Sequence, residues 1–358
     1  MFLAIEEMRQ NKLRYGLILG LLILIFYLVF FLTGLAYGLM QENKTAVDKW
    51  QADYVLLNSE SNRLITASKI DTALLDQVDA GDKALIRQQA GVAYVDKDAA
   101  TDEKEKINIF AVETDSFIVP NIVEGRLYEK TGEVVVDKTL SEVEDFGIGD
   151  QIYLSGSEEK VTIVGYTDNA YFGVAPVVYM GFDAFSELIQ ADKQQAATSS
   201  LASAIVIRGD VSSVPDELEK VAIADFIEYL PGYKAQNITF GFMIGFLVVI
   251  SAIVIGIFIF VLTTQKSPIF GLMKIQGLSN GYISGSVLAQ TFLLAGLGTV
   301  VGLAGTYLSS LVLPSAVPFE NNWTFYIVIG LALVIFALLG ASFSVRSIFK
   351  VDPLQNLS

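Results

Sequence analysis

The chain has 358 residues, 53% of them hydrophobic, yet it carries a net charge of −15; its mean hydropathy of +0.51 points to a membrane protein. It contains no Cys and no His, which excludes disulfides, thiol catalysis, imidazole acid–base chemistry and the commonest transition-metal ligands. Apolar surface and charge must therefore be segregated along the chain.

Residues 1–15 mix Phe2, Ile5 and Met8 with Glu6, Glu7, Arg9, Lys12 and Arg14, a pattern that predicts a short interfacial helix on the inner leaflet. Residues 16–40 follow without a charged side chain. At about 1.5 Å per residue the run crosses a hydrocarbon core of about 30 Å, so it reads as a first transmembrane helix. It is too long for the apolar region of a secretory signal, and no small-residue cleavage site follows it. Gly16/Gly20 and Gly34/Gly38 form two small-xxx-small pairs that permit close helix contact.

Residues 41–237 change character: they are charged, alternating and rich in turn residues. A helix is expected to continue into residues 42–68 before a strand at 52–57. Further strands are expected at 107–112, 133–136, 151–154, 161–166, 177–180 and 204–207, with helices at 70–78, 183–190 and 213–224. The predicted class is an α+β domain inserted between apolar helices. Its acidity disfavours nucleic acid as a partner.

Residues 238–264, 282–313 and 324–345 supply three more spans, with Pro314 and Pro318 breaking the chain in the 314–323 loop. Between the second and third spans, residues 265–281 (QKSPIFGLMKIQGLSNG) predict a short helix: Ser267 as N-cap, Pro268 at the first helical position, Gly277 as its stop. Arg9, Lys12, Arg14, Lys266, Lys274, Arg346 and Lys350 outnumber Glu6, Glu7 and Asp352 around this helix and at the two ends. The positive-inside rule then puts both termini, the 346–358 tail and the short helix in the cytoplasm and the acidic domain outside. The four runs hold no Asp, Glu, Lys or Arg, which disfavours an ion-coupled carrier, and intramembrane catalysis lacks a proton carrier. No GxxxxGK[ST] phosphate loop occurs, so uphill transport would need a nucleotide hydrolysed elsewhere.

This layout resembles the MacB/FtsX-type permeases of ABC systems. Three stretches carry the resemblance besides the order of the spans: FGLMKIQGLS at 270–279, VEGRLYEKTGEVVVDKTL with FGIGDQIYLSGSEEKVTIVGY between 123 and 166, and the basic tail with its DP dipeptide, SVRSIFKVDPLQNL. The amino-terminal FLAIEEMRQNKLRYGLILG and DKWQADYVLLN at 48–58 are similar to the haem-efflux members of that family.

The resemblance implies a multi-pass α-helical protein of the plasma membrane, a homodimer of permeases, a separate ABC ATPase that alone handles ATP, and haem as cargo rather than as a resident cofactor. Ile269, Phe270, Leu272, Met273 and Lys274 would couple to the ATPase. With His and Cys absent, Tyr, Met or a carboxylate remains to ligate haem iron. Tyr37, Met40, Glu42, Tyr171, Tyr229, Tyr233 and Met243 are the substrate-path candidates, with Phe172 beside them, and Arg63, Lys44 and Lys49 are cations that can meet propionates. Another amphipathic cargo, such as a peptide antibiotic or lipoprotein, stays open, as does mechanotransmission to a cell-wall hydrolase without transport.

Overall fold

The computed structural model describes Glu6 and residues 9–96, 104–143, 146–189, 201–314 and 317–349. Most of the expected interfacial helix before residue 9, and the tail from residue 350 with its DP dipeptide, lie outside the described residues. The chain divides into two compact units: Met1–Gly38 with Ile238–Ser358, and Leu39–Asn237.

In the first unit four helices are long and apolar enough to cross a membrane: Lys12–Gln41, Tyr233–Gln265, Asn280–Ser310 and Trp323–Phe349. Every face of each is apolar, so burial rather than hydropathy marks the inward side. On the first span this is a seam of Tyr15, Ile18, Leu22, Phe26, Val29 and Phe30, at spacings of three and four. On the fourth it is Tyr326, Ile329, Leu333, Ala337 and Ala341.

Missing side chains let these backbones close on one another. A Cβ on Gly302 would stand 2.9 Å from the backbone nitrogen of Tyr27, and one on Gly38 would stand 2.4 Å from the carbonyl oxygen of Pro318. Gly34 is equally tight against Phe319 and Tyr326, so the Gly34/Gly38 pair is spent within the chain. Gly16 and Gly20 face open space.

The second unit is built on a mixed sheet, 11-stranded among the described residues. The strands in chain order are β1 (Tyr54–Asn58), β2 (Ile70–Asp71), β3 (Asp79–Tyr94), β4 (Glu105–Val112), β5 (Glu124–Gly125), β6 (Glu133–Asp137) and β7 (Gln151–Leu154). β8 (Lys160–Thr167), β9 (Tyr171–Phe172), β10 (Ala175–Gly181), β11 (Leu201–Ala202), β12 (Ala204–Ser213) and β13 (Leu218–Ala222) follow. The main path runs β13-β1-β12-β3-β4-β10-β6-β8-β5, with β7 on β3 and β8, and β9 on β10, while β2 and β11 pair with each other in a separate two-stranded sheet. β10 pairs with β4, and β6 with β8, in parallel; the other pairs are antiparallel. β4 and β6 are buried on both faces, which is why EKINIFAV and EVVVD read as runs rather than alternations. One core, around Trp50, Phe110, Tyr179 and Phe226, covers one face; another, around Ile109, Val136, Ile163 and Phe185, covers the other.

Three expectations fail in this unit. The helix expected over residues 42–68 stops at Gln41, where the Asn43 side chain donates to the Leu39 carbonyl at 3.1 Å and occupies an end group the helix would otherwise use. Only a single turn, Thr45–Asp48, intervenes before β1. Residues 70–78 form β2 and a 3₁₀ turn, Thr72–Gln77, opened by the Asp71 carboxylate accepting the Ala73 N–H at 2.9 Å. The helix expected at 213–224 is instead the end of β12 and all of β13, because Leu218 to Ala222 satisfy their backbone groups on β1; the helix proper is Ile223–Glu228.

β3, the longest strand at 16 residues, went unpredicted. Its sequence DAGDKALIRQQAGVAY does not alternate, because polar side chains are buried in it. Arg87, 4% exposed, donates to Ser186 Oγ at 2.6 Å and to the Leu201 carbonyl, and its guanidinium lies over the rings of Phe182 and Phe185. Gln88 donates to Asn108 Oδ1 at 2.7 Å, and Asn108 donates to the Phe172 carbonyl at 2.6 Å.

Candidate functional site

The second span ends at Gln265, and after the single residue Lys266 the chain turns into the loop helix, Ser267–Ile275. Ser267 is the first helical residue and not the cap; Lys266 holds the capping position without a side-chain cap bond, and its carbonyl accepts the Phe270 N–H at 3.0 Å. Pro268 is the second helical residue rather than the first, still within the first turn, where a missing N–H costs nothing. At the far end Gly277 has φ +85°. Its N–H reaches the Lys274 carbonyl at 3.0 Å, and the Leu278 N–H reaches that of Met273 at 3.1 Å, the pair of bonds that closes a helix on a left-handed glycine.

The two faces of this helix do different work. Phe270, 5% exposed, packs with Ile283 and Val287 of the third span and Val345 of the fourth, with Met273 half-buried beside it. Ile269, Leu272 and Ile275 are 51%, 57% and 53% exposed and stand three residues apart. Of the expected coupling residues, Ile269 and Leu272 are therefore presented, Met273 and Lys274 are half-buried, and Phe270 is turned into the bundle. Ile275 was missed, although the spacing of three from Leu272 was there to be read.

Lys266 also departs from expectation. Placed among the loop charges by sequence, it is 4% exposed. Its ammonium donates to Gln290 Oε1 of the third span at 2.8 Å and to the Tyr15 hydroxyl of the first span, while Gln290 Nε2 donates to that same hydroxyl at 2.7 Å.

Residues 241–353, which carry the loop helix and the last three spans, match the FtsX-like permease C-terminal family. Over those residues the chain is similar to permeases of the FtsX type. Similarity to full-length relatives runs through nearly all of the chain. A Staphylococcus haemolyticus protein bearing the name HrtB and the designation hemin transport system permease is 22% identical over 99% of this chain and 98% of its own. A Staphylococcus epidermidis protein with the same designation is 21% identical over the same shares. Among solved structures, the periplasmic region of MacB from Actinobacillus actinomycetemcomitans covers 51% of this chain and 95% of its own at 9% identity, with a TM-score of 0.35, a likeness too distant to bear on function.

The substrate-path candidates are scattered in role. Tyr229 accepts a hydrogen bond from Arg63 Nη1 at 2.7 Å, and the guanidinium lies 4.8 Å from its ring centre. Arg63, held in the left-handed region at φ +63°, also pairs with Glu219 at 2.6 Å. Lys44 is bound to Asp48 at 2.6 Å, and Lys49 to Asp168 at 3.0 Å. All three cations suggested for propionates are thus engaged by carboxylates of the same domain.

Tyr171 donates to Thr139 Oγ1 at 2.8 Å, and burial pushes its hydroxyl up to about 12. Phe172 is buried edge-on against Phe110, centroids 5.2 Å apart, so it faces the core and no membrane or partner. Tyr233 is half-buried against the Trp50 core. Tyr37 lies 5.7 Å from the ring of Phe325, Met40 is half-buried, and Met243 is 37% exposed.

Glu42 is the most perturbed carboxyl of the set. Burial first, and then the negative charge of Asp137, raise it from 4.5 to about 7. Asp137 is 1% exposed and is held by the Thr139 and Ala170 amides at 3.0 and 2.7 Å. The backbone next to Glu42 is pinned as well: its carbonyl accepts the Val174 N–H at 3.2 Å and that of Asn43 accepts the Gly173 N–H at 3.1 Å.

Proposed function

We propose that this chain is the membrane subunit of an ABC-type pump that exports haem from the membrane, driven by a separate ATPase chain. The observation that carries the reading is the full-length similarity to permeases designated for hemin transport. The loop helix adds a place for the ATPase: Ile269, Leu272 and Ile275 make a small apolar stripe on a helix anchored from behind by Phe270. In this reading the permease works as a homodimer in a Gram-positive plasma membrane and serves haem detoxification. Both termini and the loop helix face the cytoplasm, and the inserted domain lies outside.

Haem is flat and apolar, and its iron takes an axial ligand. The hydroxyls of Tyr171 and Tyr229 are engaged within the inserted domain, which leaves the Tyr37 and Tyr233 hydroxyls, the Met40 and Met243 thioethers and the Glu42 carboxyl as the better candidates. Glu42 is poised between its neutral and charged forms near pH 7, and an exporter gains from a ligand that binds exchangeably.

The test is co-expression with the cognate ATPase in a haem-sensitive host. Wild type should lower cell-associated haem and restore growth, and Ile269→Asp with Leu272→Asp, present in the membrane at the wild-type level, should do neither. Unchanged haem content with wild type and an active ATPase would sink the haem reading. A change in cell-wall hydrolase activity in its place would select mechanotransmission.

A further inference from the structure

We infer that Lys266 is a positioning residue that passes movement of the loop helix to the first and third spans; the inference rests on the reading above, in which the loop helix meets an ATPase. Lys266 is at once the last residue before the loop helix and a side chain at the middle of a closed hydrogen-bonded triangle. Its backbone ties the two helices it joins: the N–H reaches the Thr263 carbonyl at 3.1 Å, and the carbonyl begins the loop helix at Phe270. Its ammonium ties those helices to Tyr15 and Gln290, which also bond each other at 2.7 Å. Tyr15 and Gln290 are 4% and 7% exposed, so the triangle is shielded from bulk water.

Among the described residues the loop helix also packs Phe270 and Met273 against the bundle. Such contacts permit sliding, since dispersion and burial have no preferred direction. Hydrogen bonds to a buried cation do not, because a small misalignment leaves the charge unsatisfied. A shift of the loop helix must therefore carry Tyr15 and Gln290 of two spans with it, or break the ammonium's hydrogen bonds to both in a site of low dielectric. A water-sized cavity of about 20 Å³ next to the triangle, lined by Ile18, Ile259, Thr263 and Leu294, gives the joint room to move without repacking the seam.

The experiment uses the absence of cysteine from the natural chain. A single Leu17→Cys, at a position 70% exposed on the first span, takes a spin label in the full permease–ATPase complex. The mobility of the label is read with and without ATP plus vanadate, beside ATP hydrolysis and haem export. The expected result is a nucleotide-driven change in the Lys266 parent that is lost in Lys266→Met, while hydrolysis and assembly with the ATPase stay at the parent level. Export per ATP should fall about ten-fold, the scale of losing hydrogen bonds to one charged group. Lys266→Arg should restore most of the signal, and Tyr15→Phe should behave as a weaker Lys266→Met.

Absence of any nucleotide-driven change in the parent, or its persistence in Lys266→Met, overturns the inference. So does a fall of signal, hydrolysis and membrane level in proportion, which marks a residue needed only for folding. If the parent shows the signal but exports no haem, the haem reading fails while the joint stands. If no ATPase assembles with the parent, the ATPase reading fails and the inference that rests on it falls too.

Discussion

The two units of this chain bury polar groups by opposite rules. In the helical unit the interior is apolar and close approach is won by leaving side chains out, at Gly34, Gly38, Gly298 and Gly302; its polar exceptions include one network around Lys266. In the inserted domain the sheet takes Arg87, Gln88, Asn108 and Asp137 into the interior and satisfies most of their polar groups with backbone and side-chain partners. Lipid offers no hydrophobic drive for helices to associate, so contact between spans depends on fit. The sheet, by contrast, is folded by burial from water and can afford polar specificity within it.

The sharpest way to break that contrast is to fill a gap between spans. Gly302→Leu places its Cβ against the Tyr27 backbone, which cannot swing aside, and should cost more than about 3 kcal/mol; the readout is loss of monodisperse protein in detergent. Gly16→Leu, at a glycine facing open space, should leave the profile of the wild type, and equal damage from the two would refute the account of fit.

Next in size, Asn108→Leu strands the Gln88 amide and the Phe172 carbonyl, at about 2–3 kcal/mol. Hydrogen exchange should quicken at the β3 and β4 amides and stay slow in the four spans. A change of similar size in the spans would mean that the two units do not unfold separately.

The smallest effect sharpens the comparison at the entry to the inserted domain. Glu42 is raised in the fold from 4.5 to about 7, so between those values the folded state holds a proton that the unfolded chain releases. Its contribution is whole below the lower value and is lost as pH rises through about 7. Glu42→Gln should flatten this part of the stability–pH curve, measured by thermal melts in one detergent. An unchanged slope would place the perturbation elsewhere.

Legibility in the sequence followed the same division. The span helices are found close to where composition put them, because a helix that must satisfy its own backbone in lipid announces itself by length and apolarity alone. Strands β6 and β7 appear nearly residue for residue where they were expected, from runs bounded by turn residues. β3 escaped because its polar residues are buried by partners far away in the chain, a fact that periodicity cannot carry. The helix expected at 213–224 failed for a related reason: pairing with β1 outweighs a local pattern.

The sequence by itself determined the membrane class, the inserted α+β domain, the loop helix with its Gly277 stop, and the absence of any imidazole or thiol chemistry. Each follows from composition or from a local backbone constraint that acts within a few residues. Only the tertiary structure decided which side of the loop helix is offered to a partner, since an apolar side chain facing a neighbouring helix and one facing outward read alike. It turned Phe270 inward, left Ile275 exposed, engaged Tyr171, Tyr229 and Arg63 inside the inserted domain, and buried Lys266. Those choices depend on contacts that reach along the chain, from 24 positions between Lys266 and Gln290 to 251 between Lys266 and Tyr15, where packing and hydrogen-bond satisfaction act and local sequence has no say.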